Sequence, residues 1–240
     1  MKVVVIIPAA GLGTRMSAGA AKPSDPPRSK QFAELGGVPI LIHTLRRFAA
    51  NPQVTEFFVA LRKSEIKQFQ PRLKQENFAD RVHLVEGGEN RQGSVANALA
   101  QVRAAAEDIV LVHDAVRPFV DDNVISSVIA ATKKFGAAIA GIPAVDTVKQ
   151  VERTAAGAII TSTIPRERIV LAQTPQGFKY PIIKKAFDEA AADNFTGTDE
   201  ASLVERSGHE VAVVMGSPRN MKITTPADMS LAEFYLKGKS

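Results

Sequence analysis

Apolar residues along the chain fall into short runs that alternate with longer stretches of helical period. Residues 3–7, 57–61, 82–85, 109–112 and 137–142 are largely or wholly apolar rather than apolar at every second position, as strands buried on both faces require. Between them, apolar positions recur at helical spacing over 40–49, 66–78, 95–106 and 124–135. Strand, helix, strand in this order implies right-handed crossovers and a mostly parallel sheet flanked by helices, a Rossmann-like α/β fold.

The rhythm breaks after Pro143. Residues 147–152 alternate, Thr154-Ala155-Ala156-Gly157 is turn-like, and 158–164 is again rich in β-branched residues, which predicts a β-hairpin. An isolated hairpin is marginal in water, so residues 146–170 read as an arm that needs a surface, on its own domain or on a second subunit. Helical patterns follow at 182–192 and 198–207, a strand at 211–215, and a last helix over 226–237. Thr225 suits the N-cap of that helix and Pro226 its first position. No repeat or linker divides the chain, so residues 1–240 read as one domain.

Composition narrows the class. A chain of 240 residues, 45% hydrophobic, can bury one substantial core. The opening apolar run is five residues before Pro8, too short for the core of a signal peptide. No run approaches the roughly 20 apolar residues of a membrane span. Without cysteine there is no disulfide framework and no thiolate chemistry, which fits a cytoplasmic address. The formal charge of +5 favours anionic partners. The basic residues are scattered with no Lys/Arg block, which points to small polyanions rather than nucleic acid.

Two loops carry candidate chemistry, both beyond the carboxyl ends of strands, where ligands of this fold bind. The first reads Pro8-Ala9-Ala10-Gly11-Leu12-Gly13-Thr14-Arg15. As a dinucleotide fingerprint it fails at Met16, where the third glycine belongs, and as a P-loop it lacks Gly-Lys-Ser/Thr. What remains is either a plain tight turn or a wrap whose small residues let backbone N–H groups approach phosphate oxygens. In the second case Arg15 and a lysine, Lys22 or Lys30, would add charge. The Pro-rich stretch 17–29 reads as a mobile loop. The second loop is Val112-His113-Asp114-Ala115-Val116-Arg117-Pro118. A carboxylate beside a phosphate loop suits Mg²⁺, with Asp114 as ligand; the alternative is an Asp closing a turn, with Arg117 as ion-pair partner. The absence of cysteine and of HxxxH spacing argues against zinc, and His113 reads as a structural hydrogen-bonding residue.

These segments occur in order with Lys30-Gln31-Phe32, Gly87-Gly88…Arg91-Gln92-Gly93-Ser94-Val95, Asp146-Thr147-Val148-Lys149, Gln173-Thr174-Pro175-Gln176, Thr198-Asp199-Glu200 and Asn220-Met221-Lys222. Together they resemble, over essentially the whole chain, the 2-C-methyl-D-erythritol 4-phosphate cytidylyltransferases of the non-mevalonate isoprenoid pathway. The resemblance implies cytidylyl transfer from CTP to methylerythritol phosphate, with Mg²⁺, in a homodimer joined by the hairpin arm. It implies that Ala9, Ala10, Gly11 and Gly13 wrap the triphosphate and that Arg15 and Lys30 stabilise charge in the transition state. Gly88, Ser94 and Ala115 would bind the nucleoside, Asp114 the metal, and Lys222 the α-phosphate region. Thr147, Arg117, Arg166, Thr174 and Thr198 would line the acceptor pocket. The chain departs from the pattern in the length of its Pro-rich loop and in Gly93, where Asp is common.

Such chemistry needs no Ser-His-Asp constellation, because a substrate phosphate is already a nucleophile. It needs in-line placement of two polyanions and neutralisation of the leaving pyrophosphate. Two rivals stay open at this level: an enzyme that uses another polyol phosphate, such as ribitol 5-phosphate, and a non-catalytic nucleotide-binding protein.

Overall fold

β1 (Val3–Pro8) is apolar from end to end because it lies inside a sheet with both faces covered. Its odd positions, Val3, Val5 and Ile7, enter one core cluster and its even positions, Val4 and Ile6, enter another. The computed structural model describes residues 1–11, 29–155 and 157–238. After β1 come a small hairpin of β2 (Glu34–Leu35) and β3 (Val38–Pro39), then α1 (Ile40–Ala49), β4 (Glu56–Leu61), α2 (Lys63–Leu73) and β5 (Val82–Glu86). The chain continues through α3 (Arg91–Leu99), β6 (Ile109–Val112), α4 (Asp122–Phe135), β7 (Ala137–Pro143), β8 (Val148–Thr154) and β9 (Gly157–Ile164). It ends with β10 (Val170–Lys179), α5 (Tyr180–Ala192), α6 (Glu200–Arg206), β11 (Ala212–Met215) and α7 (Pro226–Lys237).

Seven strands form one sheet in the order β11-β7-β10-β6-β1-β4-β5, parallel throughout except for β10. On one face α1, α2 and α4 cover the odd side of β1 through Leu45, Phe48, Phe69 and Val128. On the other, α3, α5 and α6 bury Val95, Leu99, Ile183, Phe187 and Leu203. The predicted α/β architecture therefore holds, and α1 and α7 span the expected residues. Thr225 caps α7 in a reciprocal box with Asp228.

Differences arise where packing overrides pattern. The pattern over 66–78 extends past α2 because Phe78, in the following loop, packs its ring against Phe57 with centroids 6.2 Å apart. α3 begins earlier than expected, at Arg91, because Asn90 accepts the Gly93 N–H at 2.7 Å as N-cap. The N-cap of α6 is Asp199, in a capping box with Ser202, and Thr198 stands just outside. β10 has no counterpart in the expected elements. Its Gln173, Thr174, Pro175 and Gln176 erase any strand pattern, and its pairing with β7 shifts register between Ala172 and Gln176.

The predicted hairpin is present as β8 and β9, a separate two-stranded sheet. Both strands are almost wholly exposed, and Val151, Ile159 and Ile160 present apolar side chains to solvent.

Candidate active site

The parallel strands deliver their loops to one edge of the sheet. The loop after β1 is tied down through its carbonyls: Ala9 O accepts from Gln31 Nε2 and Ala10 O from Arg62 Nε at 3.0 Å. The turn between β5 and α3 uses Gly87-Gly88. A Cβ at Gly88 would sit 2.6 Å from the carbonyl carbon of Gly93, so the close approach of turn and helix needs glycine there. Ser94 Oγ accepts the Gly88 N–H at 3.1 Å and donates to Asn90 O at 2.9 Å, locking the same turn.

Between these loops opens a cavity of about 170 Å³. Ala9, Ala10, Gly11, Lys30, Gly88, Ser94, Asp114, Ala115 and Lys222 all line it, from segments at opposite ends of the chain. Gly13 and Arg15 lie outside the described residues, as do Lys22 and the predicted mobile loop except for Ser29.

The loop holding Asp114 is rigidly built. Thr44 Oγ1 donates to Ala115 O at 2.9 Å, and the Ile223 N–H donates to Val116 O at 2.9 Å. His113 is fully buried, and its Nε2 lies 3.1 Å from Arg117 O. A carbonyl only accepts, so Nε2 carries the proton. Burial pushes the imidazole down to about pKa 4. His113 is thus a structural donor, as the sequence suggests.

A pH dependence of stability follows. The folded state keeps His113 neutral down to about pH 4, whereas an unfolded chain takes up that proton below about 6.5. The contribution is complete above pH 6.5 and is lost as pH falls toward 4, by up to about 3 kcal/mol. Urea melts between pH 7 and 4.5 should show this slope, and His113→Gln should remove most of it. An unchanged slope in that variant would rule out His113 as its source.

Asp114 is nearly buried and meets three cations. Arg91 Nε lies 3.2 Å from Oδ1, Arg117 Nε 3.3 Å from Oδ2, and Lys222 Nζ 2.9 Å from Oδ2. Burial alone would raise its pKa; Arg91, Lys222 and Arg117 outweigh that and hold the carboxyl well below the usual carboxylate range. Both readings of Asp114 survive, because the predicted ion pair with Arg117 is present and the residue also faces the cavity. Among the described residues Oδ1 has Arg91 as its one side-chain partner, which leaves it a lone pair. An ionised carboxylate with a spare lone pair fits Mg²⁺, which takes one or two carboxylates and completes its shell with phosphate oxygens and water.

A second cavity, about 210 Å³, abuts the first. Thr174, Thr198 and Arg117, three of the predicted acceptor residues, line it. Thr174 Oγ1 accepts the Asp114 N–H at 3.0 Å, and Asn220 Nδ2 donates to Thr174 O at 2.7 Å. Arg91, Asp114 and Lys222 line both cavities and form the wall they share. Thr147 and Arg166 line neither; they sit exposed at the base of the hairpin, where Arg166 Nη1 donates to Val145 O at 2.7 Å.

Nothing in the sequence pattern gives a role to Arg91, Glu200 or Asn220. Each stood inside a quoted motif, but their contacts span 23, 109 and 46 residues, and no local pattern reports such pairings.

A family model described as IspD, 2-C-methyl-D-erythritol 4-phosphate cytidylyltransferase, matches residues 3–238. The enzyme of that name from Acidobacterium capsulatum is 62% identical over 240 residues, which cover 100% of this chain and 99% of that protein. The one from Solibacter usitatus is 50% identical, covering 99% and 96%. Among solved structures, the Francisella tularensis enzyme superposes with a TM-score of 0.80 at 36% identity, covering 98% of this chain and 99% of that one. The Thermus thermophilus enzyme gives 0.78 at 32%, covering 99% and 100%.

Proposed function

Because the chain belongs to the 2-C-methyl-D-erythritol 4-phosphate cytidylyltransferase family, and so transfers a cytidylyl group from CTP to methylerythritol phosphate with release of pyrophosphate, we propose a division of that reaction between its two cavities. CTP occupies the cavity bounded by the β1 loop and Gly88. The acceptor occupies the one bounded by Thr174, Thr198 and Arg117. The observation that carries this reading is the shared wall of Arg91, Asp114 and Lys222, where the reacting phosphates meet.

An acceptor phosphate oxygen attacks the α-phosphorus of CTP in line. The bond from that phosphorus to the bridging oxygen breaks, and pyrophosphate leaves with the electron pair. No proton moves, so the residues serve by position and charge. Lys222 and Lys30 offset repulsion between the two anions, with Arg15 as a further cation. Asp114 would hold Mg²⁺, which supplies additional charge neutralisation when bound.

The exposed apolar hairpin supports a homodimer in which the arm packs on a second copy and brings Thr147 and Arg166 to that copy's acceptor cavity. The cysteine-free composition supports a cytoplasmic address for this enzyme; among the described residues no helix is long and apolar enough to cross a membrane.

Three experiments test the assignment. Pyrophosphate release from CTP is expected with methylerythritol phosphate and to be slower with ribitol 5-phosphate; the reverse order would reject the acceptor. Arg166→Ala should raise KM for the acceptor more than for CTP. Co-expressed with Lys222→Ala, it should give a mixed dimer with one intact site. No recovery in that mixed dimer would place the arm in its own chain's site.

A further inference from the structure

Glu200 opens α6, is 1% exposed, and takes no part in the chemistry above. A buried carboxylate is costly unless it is paired. Its partner is Arg91, whose Nη1 lies 2.7 Å from Oε1 and 2.9 Å from Oε2. Arg91 is itself oddly placed. It is the first residue of α3, at the positive end of the helix, where a cation is disfavoured. Stability does not explain the pair, because well-packed apolar residues commonly replace a buried ion pair at no loss.

The geometry supplies another reason. Arg91 Nε is held 3.2 Å from Asp114 Oδ1 and Nη1 is held by Glu200, which leaves Nη2 without a hydrogen-bond partner among the described residues. The same guanidinium lines both cavities. We propose that Arg91 is a phosphate contact where the nucleotide and acceptor cavities join, and that Glu200 is the positioning residue that holds it there. Without Glu200, the guanidinium fork is free to turn onto Asp114 as a bidentate pair and leave the junction. Glu200 is anchored in turn by its helix: Gln176 Oε1 accepts the Ala201 N–H at 3.0 Å, and Gln176 Nε2 donates to Asp199 at 2.7 Å. The strut therefore ties the wall of the acceptor cavity to the nucleotide site.

This inference rests on the division of cavities proposed above. That division is checked separately with Arg117→Ala, a residue of the acceptor cavity alone. A rise in its KM for CTP with none for the acceptor would reject the division and leave Glu200 aside. For the strut itself, Glu200→Gln is expected to lower kcat about 30-fold with KM for CTP changed less than about threefold. The double variant Arg91→Met/Glu200→Gln removes both charges, so its thermal midpoint should return toward wild type while kcat stays at least about 30-fold down. If kcat recovers together with the midpoint, the pair is merely structural and the proposal is overturned. Wild-type kcat in Glu200→Gln would overturn it equally.

Discussion

Asp114→Asn is expected to lower kcat by about a thousandfold while tightening CTP binding measured without divalent metal. The isosteric amide keeps the shape of the loop but removes the charge to which Arg91, Arg117 and Lys222 all point. Those three cations against Asp114 and Glu200 leave the wall at +1; the substitution makes it +2, which favours a polyanion in the ground state. The same surplus scatters the cations proposed to serve the transition state, and it removes the ligand proposed for Mg²⁺. Stability falls as well, by about 3 kcal/mol, because three half-buried cations lose their common partner. Steady-state kinetics, calorimetric titration with CTP and denaturant melts read the three effects. Turnover near wild type would remove Asp114 from the mechanism.

Lys222→Ala should cost the next largest factor, about 10²–10³ in kcat, by comparison with loss of one preorganised donor to a developing charge. Its ammonium is 2.9 Å from Asp114 Oδ2 and lines both cavities. Its backbone is fixed on either side, by Ile223 N–H to Val116 O and by the buried Asn220, whose carbonyl accepts from Arg117 Nη1 at 2.6 Å. The lysine is thus preorganised rather than recruited. Lys222→Arg should recover less than about tenfold of the loss, since a planar fork does not replace a compact point charge at that distance. A Lys222→Ala enzyme that keeps more than half of wild-type kcat would sink its role. A large rise in KM at constant kcat would instead make it a ground-state binding residue.

Much of the site was legible in residue order. Ala9 to Gly11, Lys30, Gly88, Ser94, Asp114, Ala115 and Lys222 stand in motifs visible in the sequence, and the fold gathers all of them around one cavity. Thr174, Thr198 and Arg117 likewise meet in the second cavity. The strut of Arg91 and Glu200 was not legible, although both residues were in view. In a linear reading neither has a partner in view, and only their burial and pairing give them meaning.

The sequence alone determined the layers. Runs apolar at every position demand two covered faces, helical spacing supplies the covers, and caps such as Thr225 stop the helices; all of these depend on neighbours a few residues apart. Tertiary structure alone decided β10 and the charged wall. Gln173, Thr174 and Gln176 carry no strand pattern, and they lie buried in the sheet because Asn220, Asp199 and Ala201 satisfy their polar groups from distant segments. Burying a polar or charged group is costly until its partner arrives, and that partner is placed by topology rather than by local spacing. The residues that line the two cavities are therefore written in the chain one at a time and meet only where the carboxyl ends of the strands bring them together.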